Sequence, residues 1–364
     1  MSEFAREYGL EYDDIINGHV HLCYEKPVDE TADAFKNLLE YFGYSAFNIA
    51  SIPISYSVTH NINTFYCKSK LSPNIYASAG LYYEKGMTDV QNEFLRQAKL
   101  YRAMGADGYK MLDGKISQYR KTGLKLNDPV FDKFYAYAEE NSIPILSHVA
   151  DPAYFWDKSK MSEYFLSRGW YVEPHEPTLE EIRGWVSDTL EKFPDITMVL
   201  AHFYFMSDDL DRAAKMFEKY PNLCFDITPG GEMFVKFTEK YDEARAFFKQ
   251  YSKRIIYGTD LYNSFNKVTN FAANRDWQAR SFLEKSEPLF MTNLSENPIR
   301  PLALEKDTMY DICKGNFMRI YGEAPIGVDK ALVCDEAERI LKDYPHISDL
   351  EKQNVLTAVN YFKG

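Results

Sequence analysis

The stretch IINGHVH, residues 15–21, decides how this chain is read. It is a short β-rich run closed by two histidines. Runs of the same kind follow: YSAFNIA (44–50), NIYASAGL (74–81), GYKML (108–112), IPILSH (143–148), ITMVLAH (196–202), NLCFDI (222–227) and RIIYGTD (254–260). Helical patterns fill the intervals. NEFLRQAKLYRAMG (92–105) ends on Gly105 as a C-cap, and DPVFDKFYAYAEEN (128–141) opens with Asp128 as N-cap and Pro129 at the first helical position. SDDLDRAAKMFEKYP (207–221) is expected to start on Ser207 and stop at Pro221. Most runs follow one another at about 30 residues, the length of a βα unit. Strands alternating with helices, without a break in composition, predict an α/β protein of the (β/α)8 TIM-barrel type. An open doubly wound sheet is the alternative, but no glycine-rich phosphate loop follows the first run.

The barrel is expected over residues 1–322, with 151–177 as a long insertion between His148 and His202. DEAERILKDY (335–344) and DLEKQNVLTAVNYF (349–362) predict helices in a C-terminal extension, 323–364, packed on the barrel.

The 364 residues carry 42 Lys and Arg against 54 Asp and Glu, a formal charge of −12. Nucleic acid and anionic membrane surfaces are poor partners for such a chain, because both need clustered basic charge. A hydrophobic fraction of 45% fits a folded globular protein. The opening MSEFAREYGLEYDDI lacks the apolar run of a leader, and no stretch approaches a membrane span. The five cysteines, Cys23, Cys67, Cys224, Cys313 and Cys334, are scattered and never form a CxxC pair. A cytoplasmic protein with reduced thiols is the expectation.

The histidines carry the chemistry. His19 and His21 are two apart on a strand and so point to the same side, where both imidazoles can reach one ion. His148 and His202 each end an apolar run, on the face where barrel enzymes build their sites. Asp260 ends the last run, and a carboxylate there is costly to bury without a metal, a cation or several donors. Barrel closure would set it beside His19 and His21. Three imidazoles and one carboxylate suit Zn2+, with Mn2+ and Fe2+ also accommodated.

NGHVHL (17–22), GADGYKM (105–111), IPILSHVADP (143–152), PDITMVLAHF (194–203), YPNLCFDIT (220–228), IIYGTDLY (255–262) and KGNFMRIYG (314–322) together resemble the amidohydrolase superfamily, in its amidohydrolase-related branch of hydrolases and decarboxylases. The resemblance implies a (β/α)8 barrel in which His19, His21, His148 and Asp260 ligate one divalent metal ion, with Zn2+ the expected ion. It also implies that Asp260 and His202 are catalytic, His202 either ligating the metal or orienting water or substrate. At the position of Lys110 some relatives carry a carbamylated lysine; here it is read as an unmodified positive wall residue for an anionic small-molecule substrate.

The reaction implied is hydrolysis of an amide, lactone or other ester by a metal-activated water, with Asp260 relaying the proton. Nonoxidative decarboxylation of an aromatic or dienoic acid uses the same ligands and is the alternative. One decarboxylase subgroup has Glu at the place of His19, and that signature is missing here. The aromatic 151–177 segment reads either as a lid over the site or as a contact in a homo-oligomer. Within it Trp156, Arg168 and His175 are candidate substrate residues. TPGGEMF (228–234) is expected to form a flexible rim, with Glu232 able to face the site.

Overall fold

The computed structural model describes residues 1–22, 25–53, 57–229, 231–262, 270–291 and 294–364. Cys23, one of the five cysteines, and Gly230 of TPGGEMF lie outside the described residues.

The strands are β1 (Ile15–His21), β2 (Tyr44–Ala50), β3 (Ile75–Gly80), β4 (Gly108–Met111), β5 (Ile145–Ser147), β6 (Met198–Leu200), β7 (Leu223–Asp226), β8 (Ile255–Ile256) and β9 (Leu261–Tyr262). All pair in parallel, in the order β8-β7-β6-β5-β4-β3-β2-β1-β9. The final run is not one strand. Its first part pairs with β7 through Phe225 and Asp226, and its last part pairs with β1 through Val20 and His21. Between them Gly18 N–H donates to Tyr257 O and Asp260 N–H donates to His19 O, each at 2.9 Å. Residues 255–262 therefore bridge β7 and β1 and complete a (β/α)8 TIM barrel.

Helices lie outside, with their apolar faces on the sheet. Val90–Met104 stops at Gly105, whose φ of 113° only glycine adopts readily. Asp128 accepts a hydrogen bond from Val130 N–H, but it caps a short 3-10 turn, Pro129–Phe131, ahead of the helix Asp132–Glu140. The next expected start is corrected: the helix Leu210–Lys219 is capped by the Asp209 side chain, not by Ser207. Lys330–Asp343 and Asp349–Lys363 pack on each other and on the outer helices, burying Val333, Ala337, Val355 and Ala358. Among the described residues no helix is long and apolar enough to cross a membrane.

Inside the barrel, the N-terminal end of the sheet is filled. Ile16, Tyr76, Leu146, Val199 and Ile256 pack there against Phe317 and Tyr321 of the helix Asn316–Tyr321, whose rings stack at 4.4 Å. In β1, Ile16 belongs to this inner cluster, whereas Val20 packs in the outer core. Strict alternation would put both on one side. A break in register between Asn17 and Val20 reverses the parity and turns His19 and His21 into the barrel mouth.

The irregularity of β1 faces Gly258. A Cβ there would lie 2.8 Å from Thr228 Cγ2 and 2.9 Å from His19 Cβ. Gly258→Ala is expected to lower unfolding free energy by roughly 1–3 kcal/mol through overpacking. Gly184→Ala is the control, since its Cβ meets nothing within 4 Å in the helix Leu179–Lys192. That change should raise stability by roughly 0.5–1 kcal/mol. Denaturation midpoints that move the two variants alike would refute the steric account.

Candidate metal centre

His19 and His21 have their tautomers fixed by their partners. His19 Nδ1 lies 2.8 Å from Asp226 Oδ2, and His21 Nδ1 lies 2.8 Å from the carbonyl oxygen of Ala50. Both partners are acceptors, so both Nδ1 atoms carry the proton and both Nε2 atoms present a bare lone pair. Those Nε2 atoms are 2.9 Å apart. Asp260 Oδ1 stands 3.0 Å from His21 Nε2 and 3.8 Å from His19 Nε2. Three electron-rich atoms so arranged repel one another unless a cation lies among them. The ligand atoms of His19, His21 and Asp260 all fall within 4.8 Å of one another. Two imidazoles and a carboxylate fit a divalent ion of the zinc or manganese type.

Electrostatics prepare these groups. Burial pushes the pKa of His19 down to about 3, so it is neutral at pH 7. Burial works the other way on Asp260, but His21, Arg275 and His202 outweigh it and hold the carboxyl well below its usual range. Asp226 is likewise kept ionised against burial, by His19 first and by His202 and Thr228. Burial lowers Lys110 from 10.5 to about 8, opposed by Asp226 and Asp260. Lys110 is fully buried within β4, with Nζ 3.2 Å from His19 Nε2.

His148 stands apart from this group. Its Nε2 accepts from Lys115 Nζ at 3.0 Å, and Lys115 also binds Asp151 Oδ1 at 2.5 Å. With Nε2 accepting, His148 Nδ1–H donates to His202 Nε2 at 3.2 Å, and His202 Nδ1–H points to Thr228 Oγ1 at 2.9 Å. Burial lowers the pKa of both histidines, and Lys115 adds to the effect on His148. The two groups are neighbours, with the His19 and His202 ring centres 6.1 Å apart.

Strand ends are not where the sequence set them. β5, β6 and β8 stop at Ser147, Leu200 and Ile256, so His148, His202 and Asp260 all lie on the loops that follow. Asp260 has a φ of 54°, and residues His202–Phe205 have φ values of 58°, 52°, 51° and 49°. These left-handed conformations end the strands and re-aim the side chains.

The insertion folds into short turns and a helix, Glu163–Ser167. Trp156 is half-buried, with its indole N–H donating to Pro177 O at 3.0 Å. Arg168 is exposed and stacks on the Tyr164 ring at 3.6 Å, and His175 is also exposed. Among the described residues, no hydrogen bond or ion pair joins Trp156, Arg168 or His175 to the histidines. A cleft of about 330 Å³ does adjoin them, lined by Pro152, Tyr154, Phe205, Glu232 and Lys236 among others. Phe205 stacks on His202 with ring centres 5.4 Å apart. Glu232 is half-buried, and burial raises its pKa. Asp226, Lys115, Asp151, Thr228 and Arg275 are polar neighbours of these groups that the sequence does not single out. Asp226 carried the signal already used for Asp260, a carboxylate closing an apolar run.

Lys110 gives a stability test. In the folded state it releases its proton near pH 8, but in the unfolded chain only near 10.5. The burial penalty is thus complete below pH 8 and vanishes as pH rises through 10.5. Lys110→Met should raise the unfolding free energy of metal-free protein at pH 7 by up to about 3 kcal/mol. The advantage should shrink between pH 8 and 10.5. A midpoint unchanged at pH 7, or a gap widening with pH, would contradict it.

No curated protein matches the chain in sequence. Among solved structures it is similar to 2,6-dihydroxybenzoate decarboxylase from Rhizobium, at 11% identity and a TM-score of 0.52 over 85% of this chain and 99% of that one. It is also similar to 4-oxalomesaconate hydratase from Rhodopseudomonas palustris, at 13% identity and a TM-score of 0.52 over 91% and 100%. A third is dihydroxybenzoic acid decarboxylase from Polaromonas, with bound manganese and 2-nitroresorcinol, at 12% identity and a TM-score of 0.51 over 85% and 97%. At these identities the likeness is one of fold. The amidohydrolase family model matches residues 89–322, which include Lys110, His148, His202 and Asp260. The chain belongs to the amidohydrolase family.

Proposed function

We propose that the protein is a metal-dependent hydrolase of a small-molecule amide, lactone or other ester, with Asp260 as general base. The observation that carries this reading is the different exposure of two ionised carboxylates. The Asp226 side chain is 2% exposed and the Asp260 side chain 21%. Water therefore reaches Asp260 in the barrel mouth, while Asp226 is sealed behind His19.

His19, His21 and Asp260 would hold the ion, with His148 joining them by giving up its contact with Lys115. Zn2+ is the expected ion, and Mn2+, bound in the Polaromonas relative, suits the same donors. The ion supplies Lewis acidity and lowers the pKa of water. Asp260, held ionised, accepts the proton of the attacking water and passes it to the leaving group. His202, aimed into the mouth by its turn and with its proton on Nδ1 toward Thr228, would accept a hydrogen bond from the attacking water at Nε2. Lys110 adds positive charge behind His19. The cleft between Tyr154 and Phe205 would take the rest of the substrate.

Decarboxylation of a carboxylic acid is the second reading. It is favoured by Lys110, Lys115 and Arg275, three basic side chains gathered around the two groups, which suit a carboxylate substrate.

His19→Ala should remove most of the roughly one equivalent of metal expected in protein purified without chelator. Full metal content would sink the ligand assignment. Asp260→Asn should lower turnover by about 10² to 10⁴-fold while some metal stays bound. Turnover in ¹⁸O-labelled water separates the reactions. Label in the product supports hydrolysis, whereas released CO₂ with an unlabelled organic product replaces it with decarboxylation.

A further inference from the structure

Asp226, the last residue of β7, is engaged at both ends. Its Oδ2 accepts His19 Nδ1–H at 2.8 Å. Its Oδ1 accepts the backbone N–H of His202 at 2.8 Å, the backbone N–H of Thr228 at 3.0 Å and the Thr228 hydroxyl at 2.6 Å. The second set of contacts sits at the start of an unfavourable piece of backbone. His202, Phe203, Tyr204 and Phe205 are successive left-handed residues, and none is glycine. Each such residue costs about 1–2 kcal/mol, and the conformation persists only where its surroundings dictate it. Phe203 is gripped by Phe225, Phe237 and Phe248, which fixes the middle of the turn. Its first amide is fixed by Asp226.

We propose that Asp226 is a positioning residue that sets the ligand tautomer of His19 with one oxygen and the placement of His202 with the other, so that metal binding and substrate contact share one anchor. This rests on the reading of His19 as a metal ligand. Asparagine at 226 would break the first function while keeping the shape. Three donors crowd the Oδ1 side, so the amide must keep its oxygen there and turn its NH₂ toward His19. The imidazole would then accept at Nδ1 and carry its proton on Nε2, where no ion can be bound.

The direct test is ¹⁵N NMR of histidine-labelled, metal-free protein. His19 should carry its proton on Nδ1 in the wild type and on Nε2 in Asp226→Asn. A wild-type His19 protonated on Nε2, or a variant that keeps Nδ1–H, overturns the proposal, and the wild-type spectrum decides the matter even if the variant fails to fold. Metal affinity, measured by competition with a chelating dye, should fall about 10- to 100-fold in Asp226→Asn; an unchanged affinity overturns the proposal. For the shared anchor, Asp226→Asn and His202→Asn should lower kcat by less together than the product of their separate effects. Multiplicative effects would remove His202 from the assignment. His19→Ala separates the two readings: if it retains metal, the ligand reading fails, while the tautomer measurement still judges Asp226.

Discussion

The closing of the sheet governs everything at the mouth of this barrel. Residues 255–262 must satisfy two neighbours at once, β7 on one side and β1 on the other. They do so by abandoning strand geometry in the middle. Gly258 gives room for His19, Thr259 Oγ1 takes a hydrogen bond from Asn17 Nδ2 at 2.7 Å, and Asp260 turns left-handed into the interior. The irregularities of β1 and of the closing run face each other, and between them they bring His19, His21 and Asp260 together.

Burial then sorts the charged groups in opposite ways. It strips the proton from imidazoles, which leaves His19, His148 and His202 neutral and able to donate lone pairs. The same burial would protonate carboxylates, yet Asp226 and Asp260 stay ionised because imidazole, hydroxyl and guanidinium groups crowd around them. Without those partners the apolar barrel would give neutral acids and a poor cation site. The polar network is therefore interdependent, and no one of its members sets the chemistry alone.

The chain announced its fold through spacing, because each βα unit repeats the same alternation of an apolar run and an amphipathic helix. His19, His21 and Asp260 were legible too, since a period of two and an unpaired carboxylate after an apolar run have direct physical meanings. Other features left no mark. The break in register within β1 has no residue signature beyond Gly18. The turn at His202–Phe205 is built from aromatic residues, whereas left-handed backbone is normally flagged by glycine or asparagine. Lys115 holds His148 across space from a different loop, so its pairing depends on how two loops meet. The aromatic content of the insertion was visible, but not that its rings, Phe155, Phe165 and Trp170, pack on one another, with Phe165 and Trp170 stacked.

The stopper at the opposite end of the barrel has its own consequence. Among the described residues, Phe317 and Tyr321, stacked across the barrel's interior beneath the histidines, fill the N-terminal end. Reactants must come and go by the same doorway. Traffic through one doorway is single file: a spent molecule has to leave before a fresh one can enter. Product analogues should therefore exclude substrate rather than occupy the protein alongside it, and any crowding of the doorway by the aromatic insertion would slow departure as much as arrival.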